Sequence, residues 1–137
     1  MADFTVVRAD DVKDFYAGTD VPGEFRPLGD ALGAEQLSIT LIRVPPHSDF
    51  EQGTGHYHDA TEELYVIVRG TLTMRFGDEV RMVSAGSAVR VAPHTKRSHR
   101  NEGDEPVEMW AISRSGAQDA VKIDEFWDAS PDAAQSR

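Results

Sequence analysis

The chain has 137 residues, no cysteine and a formal net charge of −10 at pH 7. That length suits one domain with a core of its own, and the missing thiols exclude a disulfide scaffold, thiolate metal sites and cysteine nucleophiles. The acidic balance argues against nucleic acid and against anionic membranes, both of which are recognised through positive surfaces.

In chain order, residues 1–35 read as an irregular arm that packs on the remainder of the domain, broken at Gly18, Pro22, Gly23, Pro27 and Gly29. Its opening, MADFTVVRADD, has neither the basic start nor the apolar stretch of a signal peptide. No later segment reaches the roughly 20 apolar residues of a membrane span, so a cytoplasmic location is expected. Thr5 to Arg8 has the composition of an edge strand, and Val12 to Tyr16 that of one helical turn.

Strand signals begin at Gln36 and run to Val44, where Pro45 and Pro46 stop them. Residues 46–57 are rich in His, Ser, Gly and Asp and read as a loop. Short β-rich runs come next, at Glu63 to Arg69, Thr71 to Phe76, Glu79 to Val83, Ala88 to Val91, Ser98 to Asn101 and Val107 to Ser113. Turn residues punctuate them, and Leu72, Met74 and Phe76 share one face of a cleanly alternating strand. Residues 36–115 therefore predict an all-β sandwich or barrel. In the tail, residues 116–137, the stretch Val121 to Asp128 leaves Ile123, Phe126 and Trp127 available for packing and predicts a short amphipathic helix.

Three polar residues stand out against this background. His56 and His58 are two apart, so on a strand they point to one face and can converge on one ion. Glu63 comes after a four-residue interruption and opens the next strand. Pairing of that strand antiparallel to the histidine strand would return the carboxylate to the same face. Two imidazoles and one carboxylate suit Fe, Mn, Ni or Zn as a divalent ion, with positions left open for substrate.

His56-Tyr57-His58, then Glu63, then Gly70 resembles the first motif of the cupin family, and the likeness extends from about Leu37 to Ser113. The resemblance implies a double-stranded β-helix, or jelly roll, with one divalent transition metal per chain. In the family's second motif, Gly86 and Asn101 take the outer positions. Arg97 then stands where a histidine would be the fourth ligand, and a guanidinium offers no lone pair. His99, two residues on, reads either as a displaced fourth ligand or as an unmetallated histidine at the barrel rim. His94 sits in a turn and His47 in a loop, which makes both weaker candidates.

Arg97 reads as a clamp for a substrate carboxylate or as a rim ion pair with one of the many acids. Tyr65 and Ile67 share the face of Glu63, so Tyr65 is a candidate substrate contact. Met74, Phe76, Val89, Val91, Met109 and Trp110 are candidates for an apolar wall, and Arg43, Arg75 and Arg90 for the outer face. The resemblance implies an enzyme acting on a small organic molecule by metal-assisted chemistry such as dioxygenation, isomerisation or decarboxylation. The other reading is a non-catalytic binding barrel, a sensor or carrier. Edge-strand pairing into a homodimer is expected in either case.

Overall fold

The structure, a computed structural model, describes residues 3–128. Among them, ten strands form two five-stranded antiparallel sheets. The first has the order β1-β2-β9-β4-β7, built from Glu24–Pro27, Leu37–Val44, Val107–Arg114, Glu63–Arg69 and Ala88–Val91. The second has the order β10-β3-β8-β5-β6, built from Ala120–Ile123, Gly55–His58, Arg97–Arg100, Thr71–Phe76 and Glu79–Ser84. One helical turn, α1 at Gly29–Leu32, leads into β2. The sheets face each other as a jelly roll, as the strand signals and the family resemblance predict.

Register explains where the core ends and the site begins. Across β2, β9 and β4, the inward residues come in layers: Val44 opposite Val107, then Ile42, Met109 and Ile67, then Thr40, Ala111 and Tyr65, then Ser38 opposite Ser113. The first layers are apolar and closed by Leu72 and Met74 of the second sheet, all buried. The later layers turn polar, so one end of the barrel is a packed plug and the other is a lined cavity. Of the expected wall residues, Met74, Val91 and Met109 belong to the core, and Phe76 and Val89 pack against it. Trp110 lies instead on the outer face, paired with Leu41 and Val66, because alternation puts it out of step with Met109.

Both chain ends differ from the expectation. Thr5 to Arg8 forms no strand, and Val12 to Tyr16 no helical turn; a 3-10 turn lies between them at Ala9–Asp11. The edge strand is β1, which matches four residues against the free side of β2 and places Glu24 beside Arg43. The helix expected over Val121 to Asp128 does not form either. Ala120–Ile123 is strand β10, paired residue for residue with β3, and a turn occupies residues 124–128. An isolated eight-residue helix is marginal, whereas the open edge of β3 offers hydrogen bonds that only a strand can accept. Phe126 and Trp127 then fold back over the outer face of the second sheet. Arg75 points outward as expected but is roofed by this segment, donating to the Phe126 carbonyl at 3.0 Å.

Two positions show why the strand connections need these residues. Gly70 turns β4 into β5 at φ 76°, and a Cβ there would stand 2.5 Å from the Pro106 carbonyl oxygen. Asn101, 1% exposed, donates through Nδ2 to the carbonyls of Glu105 (2.7 Å), Val44 and Pro45 (both 3.1 Å). It also accepts from the Gly103 amide at 3.0 Å, so one side chain satisfies the backbone where β2 ends and β9 begins. Asn101→Ala should lower stability by about 2–3 kcal/mol, since it orphans several buried groups at once. Urea unfolding would read this as a lower midpoint at unchanged slope; an unchanged midpoint would mean the loop carries no such load.

Candidate metal centre

Strand β3 carries His56 and His58 on its inner face, opposite Lys122 and Ala120 of β10. Glu63 does not come from a strand paired with β3. It opens β4 in the other sheet, hydrogen-bonded to β7 and β9, so it meets the histidines across the barrel interior rather than along a hairpin. Residues 59–62 are the crossover that makes this possible.

The three side chains converge. One ligand atom from each lies within 4.8 Å of the others. The Nε2 atoms of His56 and His58 stand 3.7 and 3.8 Å from Glu63 Oε1. Each Nδ1 faces a different carboxylate: His58 contacts Asp119 Oδ1 at 2.9 Å, and His56 lies 3.5 Å from Glu51 Oε1. Carboxylates that hold the far nitrogen of a ligating histidine fix its tautomer and aim.

Those two acids are the site residues that sequence reasoning missed. Asp119 precedes β10 and is itself fixed by the Ala60 amide (2.7 Å) and the Thr61 hydroxyl (2.9 Å). Its bond to His58, with these donors, holds its carboxyl well below the usual carboxylate range. Glu51 sits in the loop before β3, where Oε2 accepts from the Ser98 hydroxyl at 2.7 Å and the His99 amide at 2.8 Å. Burial pushes Glu51 up, yet His99, His56 and Ser98 together bring it below its ordinary value.

Arg97 is 1% exposed and does not line the cavity. Its Nη2 donates to Glu63 Oε1 at 2.7 Å, where the Tyr65 hydroxyl also donates at 2.5 Å. Neither bond uses Glu63 Oε2. The Arg97 ion pair is thus inside the barrel, not at its rim. Tyr65 lines the cavity, and burial raises its hydroxyl well above its ordinary value, so it remains a donor. His99 also lines the cavity but falls outside the converging trio. It stacks on Phe50 at 6.0 Å, its Nε2 is 3.7 Å from Glu51 Oε2, and its buried Nδ1 has no partner among the described residues. His94 is exposed in its turn and His47 is exposed in its loop, where it meets Asp104.

The cavity above these groups has a volume of about 730 Å³. Tyr16, Phe25 and Phe50 form an aromatic side, the first two from the N-terminal arm, and Ser38, Thr40 and Ser113 form a hydroxyl side. The donor set fits a divalent transition metal: two imidazole nitrogens and one carboxylate, with each imidazole braced from behind. Charge fits too. The three carboxylates of Glu51, Glu63 and Asp119 outnumber the Arg97 guanidinium and the Lys122 ammonium at the cavity wall, an excess of negative charge that suits a cation.

Burial pushes Glu63 up, but the contacts of His56, Tyr65 and Arg97 outweigh it and lower its pKa from an ordinary 4.5 to about 2. A carboxyl depressed on folding stabilises above its unfolded value and loses that contribution as pH falls through its folded value. The metal-stripped protein should therefore lose about 3 kcal/mol between about pH 4.5 and pH 2 through this group. Thermal unfolding across that window should show a shallower decline in Glu63→Gln than in the wild type. Equal declines would mean the carboxyl is not held ionised by these partners.

Comparison with proteins of known sequence and structure places the fold. No curated protein sequence matches the chain. Among solved structures, a cupin protein from Bacteroides fragilis has a TM-score of 0.68 at 20% identity, over 86% of this chain and 90% of that one. A sugar phosphate isomerase of a cupin superfamily from Silicibacter pomeroyi gives 0.69 at 20% identity, over 88% and 87%. The polyketide cyclase RemF from Streptomyces resistomycificus gives 0.72 at 14%, over 95% and 96%. At these identities the likeness is one of fold. The sequence model of the cupin domain (Cupin_2) matches residues 40–113, more than half of the chain and the stretch that holds His56, His58, Glu63 and Asn101, so the chain belongs to that family.

Proposed function

We propose that this protein is a metal-dependent enzyme acting on a small organic molecule, with one divalent transition metal per chain on His56, His58 and Glu63. One arrangement carries the reading: both Nε2 atoms face Glu63 while both Nδ1 atoms face carboxylates. Histidines that served only packing would not need two separate acids behind them. When bound, the metal supplies Lewis-acid or redox activation of substrate oxygens.

The chain's own residues do the rest. The aromatic side of the cavity takes the apolar part of the substrate and shuts out water, and the hydroxyl side takes its polar edge. Tyr65 contacts substrate from the wall while its hydroxyl proton stays directed at the Glu63 carboxylate. Arg97 acts through Glu63, holding the carboxylate ionised and aimed. His99 stands in the same wall, available as a further ligand or as a substrate contact. The names of structural neighbours span isomerisation, cyclisation and, in a predicted enzyme from Thermotoga maritima, oxalate decarboxylation. One fold hosts all three, and the site chemistry decides among them.

The Arg97–Glu63 pair favours a second reading. A guanidinium at 2.7 Å already balances the carboxylate, so the same barrel could bind a small molecule without an ion, as a sensor or carrier. Elemental analysis of protein purified without tag or chelator separates the two. The enzyme reading expects about one metal per chain, lost in His58→Ala, with Asp119→Asn weakening affinity by about 10- to 100-fold. Loss in His99→Ala as well would add His99 to the ligands. No uptake after anaerobic incubation with Fe(II), Mn(II), Ni(II) and Zn(II) would leave the binding barrel.

A further inference from the structure

We propose that Trp127 is a positioning residue for His56, acting through Ser98 and Glu51, so that the C-terminal segment is a working part of the metal centre. The inference rests on the metal-centre reading above and adds to it a control element outside the cavity.

The contacts form an unbroken line from the barrel's outer surface to its interior. Trp127 Nε1 donates to Ser98 Oγ at 2.8 Å. Indole has no other polar atom, so this bond is the whole of its hydrogen-bonding capacity. Ser98 is fully buried, and its hydroxyl donates inward, to Glu51 Oε2 at 2.7 Å or to the Thr54 carbonyl at 2.6 Å. Trp127 occupies a lone pair of that oxygen and so orients its proton towards the inner acceptors. With the His99 amide on the same Oε2 at 2.8 Å, the carboxylate of Glu51 is fixed from behind. Its other oxygen is presented to His56 Nδ1 at 3.5 Å.

The consequence for His56 depends on what each acceptor has left to give. Neutral imidazole carries one proton, and carboxylates stand near both of its nitrogens. Glu63 Oε1, 3.7 Å from Nε2, already accepts from Tyr65 and Arg97. Glu51 Oε1 is the acceptor that the relay holds in reserve. The proton therefore resides on Nδ1, and the Nε2 lone pair is left towards Glu63, where an ion needs it.

The segment is built to stay in place. The Phe126 amide donates to the Gly53 carbonyl at 2.9 Å, and the Trp127 ring lies under the Arg100 guanidinium at 3.8 Å. Gly55, which opens β3, has no room for a Cβ: one would stand 2.8 Å from the Phe126 ring. The histidine strand and the C-terminal segment are thus fitted to each other at the residue next to His56.

The test uses the full chain with Trp127→Phe, which keeps a ring for Arg100 but lacks the indole N–H, beside Glu51→Gln and the double variant. In metal-free protein, at a pH where imidazole is neutral, long-range 1H–15N spectra report which ring nitrogen of His56 holds the proton. The wild type should show the Nδ1–H form, and Trp127→Phe a mixture. Zn(II) competition should give about fivefold weaker binding for Trp127→Phe, the worth of one hydrogen bond. Glu51→Gln should cost about 10- to 100-fold, and the double variant should bind no more weakly than Glu51→Gln alone. A wild-type His56 spectrum in Trp127→Phe, or losses that multiply in the double variant, would overturn the relay. Urea midpoints check that each variant is folded, and Ser98→Ala, expected to match Trp127→Phe in the spectrum, serves if one is not. The spectra need no metal, so a wild type that takes up no zinc would end the metal reading while the relay is still judged on His56.

Discussion

Glu63 keeps its charge in a barrel interior, and the architecture around it answers that requirement. An ionised carboxylate taken out of water costs several kcal/mol unless partners surround it. Here they come from both sheets: Tyr65 from its own strand and Arg97 from the opposite sheet. The polar knot therefore also ties the two sheets across the interior. The apolar layers of Val44, Val107, Met109 and Ile67 can close only the other end, which leaves the cavity where the charged groups gather.

Around that knot, support comes from segments that lie outside the central strands. Asp119 braces His58 from the lead into β10, and Glu51 braces His56 from the loop before β3. Tyr16 and Phe25 come from the arm and stack edge-on with each other and on towards Phe50 and His99. A conventional core holds the barrel together, while the arm, the loop and the tail give the site its aim and its walls. Division of labour of this kind lets a shared barrel host unlike chemistries.

How far the sequence could be read reflects the same division. Period-two alternation and turn residues located strands β2 and β4 to β9 because each buries one face, and burial is written into composition. His56 and His58 were legible because spacing of two on a strand has one geometric meaning. The partner of their strand was not, since whether β4 turns back on β3 or crosses to the other sheet depends on which edges are free in three dimensions. Glu51 and Asp119 left no spacing signal, as loop positions carry no periodicity. Val121 to Ile123, read with residues 124–128 as a helix, misled for a related reason: with Val121 out and Lys122 in at a sheet edge, the pattern is not strongly amphipathic at either period. Arg97 was singled out by its departure from the family pattern, but its commitment to Glu63 is a property of the fold.

The bond between His58 and Asp119 joins residues 61 positions apart in the chain. A ribosome emits the histidines long before the acid that braces one of them, and contacts of such separation form late because the intervening chain must be ordered first. During synthesis, then, the growing chain presents a loose pair of imidazoles and no finished coordination site. The group able to hold an ion is therefore a property of the folded barrel and not of a nascent segment, and a rigid site of that kind takes what its surroundings supply most freely once intrinsic affinity is accounted for. Were a metal to occupy it, the choice of ion would be handed from the polypeptide to the compartment in which β10 pairs with β3.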